Sequence, residues 1–258
     1  MEYRAIKLWI RNDVAVITLR RPEVMNALNT QMRAEITHAV KAAEAEARVL
    51  VMTGQGKSFC SGQDLGDGGN AAALDLERTL RDEYVPMLRA IVDCKIPTIA
   101  AVNGPAAGAG ANLALAFDVV IASDAAYFVQ AFTRIGLIPD AGGTHFLPRQ
   151  IGTARAMGAA LFADKISAEQ AADWGMIYEC VAADEFEAHW QARAAKLAAG
   201  PTVAYQHVKT ALRESSGNTF EQQLALEAKL QGKCGQTRDF QEGVVSFLQK
   251  RPPVYEGR

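Results

Sequence analysis

The sequence predicts an α/β fold, from three features. Strand, glycine-rich loop and helix recur in that order through roughly the first 150 of its 258 residues, an order that calls for crossover connections. Beyond that point the strands largely stop and punctuated helices take over. Apolar residues make up 49% of the chain, enough for a sizeable core, and charged residues only 22%.

Each element has its own reason. Residues 5–10 and 14–19 alternate as two strands about the turn Arg11-Asn12-Asp13. Residues 30–47 carry Met32, Ile36, Val40 and Ala43 on one helical face. Residues 49–53 form a short apolar strand that runs into "GQGKSFCSGQDL". A second helix over about 75–94 bears the stripe Leu76, Leu80, Tyr84, Leu88 and Ile91, and Pro86 predicts a kink in it. A strand at 98–102, the loop "NGPAAGAG", a short helix to Phe117 and a strand at 118–123 follow. Ser167-x-x-Gln170 and Thr219-x-x-Gln222 read as capping boxes, Gly175 as a helix stop, and Gly200-Pro201 as a break between helices. The texture changes near residue 200 without a low-complexity linker, dividing the chain into a core, 1–200, and a helical region, 201–258.

Several classes of function are disfavoured. Net charge is −2 and the pI near 6.1, which advertises neither nucleic acid nor an anionic membrane as partner. The stretch 99–122 holds a single charge, Asp118, but Asn103, Gly104-Pro105 and Asn112 argue for buried strand and helix over a membrane span. No apolar secretory region is visible at the N-terminus. Cys60, Cys94, Cys180 and Cys234 are widely spaced, as are the four histidines, so no metal site or disulfide framework is expected, and free thiols suit the cytoplasm.

Three glycine-rich loops, 60–65, 103–110 and 136–144, each follow a strand, where α/β proteins gather their ligand sites. Small residues let a ligand approach the backbone, and the first amides of the helix after "GPAAGAG" are free to meet an anion or a developing negative charge, although close helix–sheet packing explains that segment equally well. Neither GxxxxGK[ST] nor GxGxxG is present. A hydrolase built on Ser61 and His145 lacks GxSxG, and His145 reads better as a helix-start or packing residue. Asp64 and Asp118 read as cap or turn acids. Asp140, in "GLIPDAGGT", is a lone carboxylate among apolar and tiny residues; turn chemistry or a base on a rigid loop would each account for it.

Taken together and in order, "SFCSGQDL", "AAVNGPAAGAGANLALAFDVVIAS" and "GLIPDAGGTHFLPRQIG" resemble the crotonase superfamily of enoyl-CoA hydratases and isomerases. The likeness runs from "VAVITLRRPEVMNALN" to "EGVVSFLQKR", and is nearest to the branch that isomerises a ring-epoxidised phenylacetyl-CoA to an oxepin. It implies a spiral of strand–strand–helix units, a helical C-terminal region for trimers or a dimer of trimers, an acyl-CoA substrate and no separate cofactor. By motif position it implies an oxyanion hole from the amides of Gln63 and Ala109, with Gly110 adjacent. It implies CoA contacts at Val24, Met25, Ser61, Asp64 and Leu65, and from Phe247 and Lys250, often across subunits. The acyl pocket is expected to draw on residues 66–90 and 128–137. The two glutamates with which hydratases of the superfamily activate water would fall at Asn112 and Phe132; neither is acidic. Asp140 remains, at a position where isomerases carry their acid. The implied function is therefore proton shuttling by Asp140 beside an oxyanion hole, with a hydratase of other acyl specificity or a non-catalytic CoA-thioester binder as alternatives.

Overall fold

The computed structural model describes residues 2–66 and 75–258. Strands β1 (Ile6–Arg11) and β2 (Val14–Leu19) form an antiparallel hairpin, in register from Ile6 opposite Leu19 to Arg11 opposite Val14. Asn12 and Asp13 both take positive φ (50° and 60°), the conformation a two-residue hairpin turn requires. From β2 the sheet continues in parallel through β3 (Val49–Gly54), β4 (Thr98–Val102), β6 (Val119–Ser123) and β9 (Glu179–Val181). A second sheet of three short strands, β5 (Ala106–Ala107), β7 (Tyr127–Val129) and β8 (Ile166–Ser167), lies outside every strand expected from the sequence. Pieces of two or three residues leave too little alternation to read.

Side-chain alternation divides the large sheet between two cores. Val16, Val49, Val51, Ile99, Ala101 and Ile121 pack on Phe186, Trp190 and Ala194 of α7 (Phe186–Ala198). The opposite face, with Ile17, Leu50, Met52, Ala100 and Val102, belongs to a larger core shared with α1 (Thr30–Glu46), where Met32, Ile36, Val40 and Ala43 are buried as their spacing predicted. The same helix also buries Glu35, whose carboxylate accepts the N–H groups of Arg4, Ala5 and Ile6.

The second predicted helix is built in three pieces: α2 (Leu76–Thr79), a wider turn over Leu80–Tyr84, and α3 (Val85–Val92). Val85 N–H reaches back to Leu80 O, an i→i+5 bond one residue ahead of Pro86, so a widened turn absorbs the proline. The short helix expected after the strand at 98–102 is α4 (Ala109–Leu115), every residue of it buried. α5 (Gly143–Phe162) is interrupted at Gly152, where φ is 75°. Ser167 caps α6 (Ala168–Asp173) from one side only, while Thr219 and Gln222 form the full reciprocal box on α9 (Phe220–Cys234). Gly175 takes φ 75° just past α6.

The C-terminal helices α8 (Thr202–Glu214), α9 and α10 (Arg238–Leu248) bury few of their own residues, and Leu212, Phe220, Phe240, Phe247 and Leu248 are exposed. Polar anchors tie them down. Asp118 accepts from Thr98 N–H (2.8 Å) and Thr98 Oγ1 (2.9 Å), and pairs with Lys209 (2.7 Å) and Arg213 (2.6 Å) of α8. Arg48 donates to Gly200 O and Thr202 Oγ1. The reading of Asp118 as a structural acid holds. Removing one member of a largely buried charge cluster leaves the others uncompensated. Because Arg213 is a third exposed, Asp118→Ala should lower unfolding free energy by about 2–4 kcal/mol, read from the midpoint of a urea titration. A loss within about 0.5 kcal/mol would mean the cluster is solvated in practice.

Candidate active site

Pairing between two loops builds the site. Cys60 bridges to Ala106, with Ala107 N–H bonded to Cys60 O at 2.9 Å, and Leu28 bridges to Gln63, with Leu28 N–H bonded to Gly62 O at 2.7 Å and Asp64 N–H to Leu28 O at 3.1 Å. These bonds carry the first glycine loop between the "MNALN" segment and the start of α4. Gly62 is required there: its φ is +96°, and a Cβ would lie 2.8 Å from Ala107 O and 3.3 Å from Ala109 N. Gly110 answers a different need, since a side chain there would overlap the backbone of Cys60.

The result is a cleft of about 290 Å³ lined by Gln63, Tyr84, Ala109, Phe132 and Asp140 among others, with Leu65, Leu76, Leu80, Ile135 and Leu137 as apolar walls. Among the described residues, the N–H groups of Gln63 and Ala109 have no hydrogen-bond partner, although both residues face this cleft. Ala109 opens α4, whose first amides lie beyond the reach of intrahelical bonds. Gly110 is not part of the lining.

Asp140 lines the same cleft, after the buried Pro139 and before two residues of positive φ, Ala141 (48°) and Gly142 (84°). Its Oδ1 is buried without a hydrogen-bond partner among the described residues. Burial raises its pKa from 3.8 to about 6, offset in part by its own backbone N–H. It is the sole carboxylate among the described residues that line the cleft. Phe132 lies against Gly108 and is 6% exposed, and Asn112 is fully buried below the lining, so neither position brings an acid to the cleft.

A polar cluster that the sequence did not signal supports Gln63. Arg33, 2% exposed, donates from Nη1 to Leu28 O (2.6 Å) and to Gln63 Oε1 (2.9 Å), and pairs with Glu83 at 2.6 Å. Tyr84 Oη donates to the same Gln63 oxygen at 2.7 Å, and the Arg33 guanidinium stands 4.9 Å from the centre of the Tyr84 ring. Burial raises the Tyr84 pKa, so the phenol stays a donor; the Arg33 charge opposes that shift and Asp140 adds to it. Along the sequence Tyr84 falls on an apolar stripe, and Arg33 and Glu83 lie 50 residues apart.

The remaining predicted site residues divide. Ser61 and Leu65 line the cleft, and Ser61 N–H bonds to Met25 O (3.0 Å) while its Oγ donates to Val24 O (3.2 Å), so Val24 and Met25 form the adjoining rim. Asp64 is taken up by structure: it pairs with Arg21 at 2.8 Å and accepts Gly66 N–H. Phe247 lines a different groove, between α8, α9 and α10, and Lys250 lies just beyond it at positive φ; within one chain neither joins the cleft. His145, exposed on α5, stacks edgewise on Phe146, whereas the Ser61 hydroxyl is turned to Val24, so no Ser–His pair forms. Part of the expected acyl wall, residues 67–74, lies outside the described residues. No group of metal-ligating side chains occurs among the described residues, and no helix among them is long and apolar enough to cross a membrane.

The raised pKa has a sign for stability. A carboxyl whose folded pKa exceeds its unfolded value destabilises the fold once ionised, so its contribution is favourable below pH 3.8 and is lost as pH rises through about 6. That interval corresponds to on the order of 3 kcal/mol. Asp140→Asn should therefore melt higher than the parent at pH 8 by several degrees and about equally at pH 3.5, by calorimetry. A lower melting temperature at pH 8 would instead mark Asp140 as a stabilising turn acid.

Comparison with known proteins places these features. The family model for enoyl-CoA hydratase/isomerase matches residues 10–258. The chain is 61% identical over 258 residues, the full length of both, to a "Probable enoyl-CoA hydratase" of Rhodobacter capsulatus. It is 43% identical over 254 residues (96% of this chain, 97% of the other) to the 1,2-epoxyphenylacetyl-CoA isomerase of Escherichia coli. It is 34% identical over the full length of both chains to the trans-2-decenoyl-[acyl-carrier-protein] isomerase of Streptococcus mutans. The crystal structure of an enoyl-CoA hydratase from Polaromonas sp. JS666 superposes with a TM-score of 0.92 at 33% identity, over 98% of this chain and 100% of that one. The match over nearly the whole length means that this chain belongs to the enoyl-CoA hydratase/isomerase family.

Proposed function

We propose that this member of the family is an acyl-CoA isomerase that needs no bound cofactor, with Asp140 moving the proton and the amides of Gln63 and Ala109 holding the thioester oxygen. One observation carries the reading: among the described residues a single carboxylate, with its Oδ1 buried and its pKa raised to about 6, shares an apolar cleft with two unpaired backbone amides. Removing the proton next to a thioester carbonyl places negative charge on its oxygen. Two fixed donors stabilise that enolate, each worth roughly 3 kcal/mol of barrier. The dipole at the start of α4 acts in the same sense. Asp140 then returns the proton to another carbon, and walls such as Leu80, Phe132 and Leu137 keep water from competing for it. The preferred substrate is the ring epoxide of phenylacetyl-CoA, supported by the likeness to the E. coli isomerase, with double-bond migration in unsaturated acyl-CoA thioesters as the related activity.

Hydration of an enoyl-CoA is the second reading. The R. capsulatus relative, 61% identical and named as a hydratase, favours it about as strongly. Against it stand the amide at Asn112 and the ring at Phe132, which leave Asp140 without a second carboxylate to orient water.

One experiment separates these readings. Parent and Asp140→Asn are assayed for isomerisation of a 3-enoyl-CoA and of the ring epoxide, and for hydration of crotonyl-CoA. The parent should isomerise far faster than it hydrates. The variant should lose about a hundredfold to ten-thousandfold in kcat and kcat/KM together, with acyl-CoA affinity nearly kept. Hydration as fast as isomerisation would select the second reading, and near-parental turnover by the variant would remove Asp140 from the chemistry. A CoA-thioester binder without catalysis would bind phenylacetyl-CoA in D2O yet leave its α-protons unexchanged.

The assembly we propose is a trimer or a dimer of trimers, with residues 201–258 mediating contact and Phe247 and Lys250 reaching the CoA of a neighbour. The exposed Leu224, Val244, Phe247 and Leu248 supply the apolar surface for it. Light scattering at micromolar concentration should give a mass of three or six chains; a stable monomer would overturn the assembly.

A further inference from the structure

Asn112 and Gln130 take no part in the proton shuttle, yet both amides are buried, at 0% and 1% exposure. Desolvating an amide is unfavourable unless hydrogen bonds replace its water, so what these bonds hold matters. Asn112 Nδ2 donates to the backbone carbonyl of Asp140 at 2.8 Å, and Asn112 Oδ1 accepts from Gln130 Nε2 at 2.9 Å. The same Asp140 carbonyl accepts Gly143 N–H at 2.8 Å. Gly143 is pressed so closely on the Asn112 amide that any Cβ there would overlap it.

Asn112 is also three residues beyond Ala109 on α4, just under one helical turn. One rigid, fully buried turn therefore carries an unpaired amide of the cleft at its start and a bond to the backbone of Asp140 at its end. We infer that Asn112, backed by Gln130, is a positioning residue, which sets the distance between the Asp140 carboxyl and the oxyanion amides by holding the Asp140 carbonyl from the helix that supplies one of them. This rests on Asp140 being the base. A side chain serving only to fill space would not need an amide, because an apolar residue of similar size avoids the desolvation of two polar groups.

The other charged or titratable groups near the Asp140 carboxyl are known. Tyr84 faces it from the widened turn, with its hydroxyl on Gln63. Arg134 lines the same cleft and donates to Ala163 O, at 2.5 Å. On α5, Arg149 bonds the carbonyl of the exposed His145. Asn112 touches the backbone of Asp140 and adds no charge, so its loss acts on placement and hydration.

The test follows α-proton exchange of phenylacetyl-CoA in D2O against pH for the parent, Asn112→Leu, Asn112→Asp, Gln130→Leu and Asp140→Asn, with affinity and melting temperature recorded for each. Asn112→Leu keeps the volume and removes the bond. Its exchange rate should fall about tenfold to a hundredfold, the cost of a loosened near-attack geometry, with affinity changed less than about threefold. Its acid limb should move below pH 6 as the freed loop rehydrates the carboxyl. Asn112→Asp should also lose rate, but its added charge should move the acid limb upward. Gln130→Leu should follow Asn112→Leu in direction with a smaller loss. Should Asn112→Leu not fold, Gln130→Leu decides alone. Parental rate and an unmoved acid limb in the folded Leu variants, while Asp140→Asn is silent, would overturn the positioning role only. Parental exchange by Asp140→Asn would overturn the base assignment and the inference with it.

Discussion

Everything in the site hangs on the backbone pairing of Cys60 with Ala106. Its two short hydrogen-bonded segments lie where the large sheet ends and the small sheet begins, and they lock the first glycine loop against the start of α4. From that junction Gln63 and Ala109, whose N–H groups have no partner among the described residues, come to line the cleft, and the small residues around it are a consequence. Gly62 and Gly110 are there because two backbones approach too closely for a Cβ. The glycine pattern, which along the chain reads equally as an anion-facing helix start or as close packing, serves close packing at Gly62 and Gly110.

A second tier of buried polar groups keeps this junction rigid. Arg33, Glu83 and Tyr84 converge on Gln63 from one side, while Asn112 and Gln130 hold the loop of Asp140 from the other. Buried charges and amides contribute little net stability, because the cost of desolvation offsets most of the gain from pairing. Their value lies in geometry: each bond has one satisfied arrangement and expensive alternatives. The Asp140 carboxyl is treated the opposite way. Its Oδ1 is buried without a partner among the described residues, and burial raises its pKa to about 6. The fold is strict about where this residue sits and leaves its carboxyl unsatisfied.

The same contrast bears on the choice between moving a proton and adding water. Water addition by paired acids needs two carboxylates around one water, whereas the described lining of this cleft offers one, among apolar walls and the ring of Phe132. The two positions at which hydratases of the family would carry their acids hold Asn112, bonded to the Asp140 backbone, and Phe132. Family membership alone is neutral on this point; the identity of those two side chains is what supports the proposed isomerase.

The order of the main elements as far as β6, the buried face of α1, the three glycine loops and the isolation of Asp140 among apolar residues were legible in sequence, because periodicity, glycine clusters and a lone acid in an apolar loop are local patterns. Local patterns also left out what the packing adds. Asp64, read for a ligand contact, pairs with Arg21, distant in sequence, and Gly110 packs too closely on Cys60 to carry a side chain. Phe247 lines a separate groove among the C-terminal helices of its own chain. The pairing of Cys60 with Ala106, the Arg33–Glu83–Gln63–Tyr84 cluster and the hold of Asn112 on Asp140 came only from tertiary structure. Each joins residues about 20 to 50 positions apart through one or two hydrogen bonds, and such bonds leave no periodic trace. A pattern along the chain records which face is apolar; which polar atom meets which is decided only when the faces are packed together.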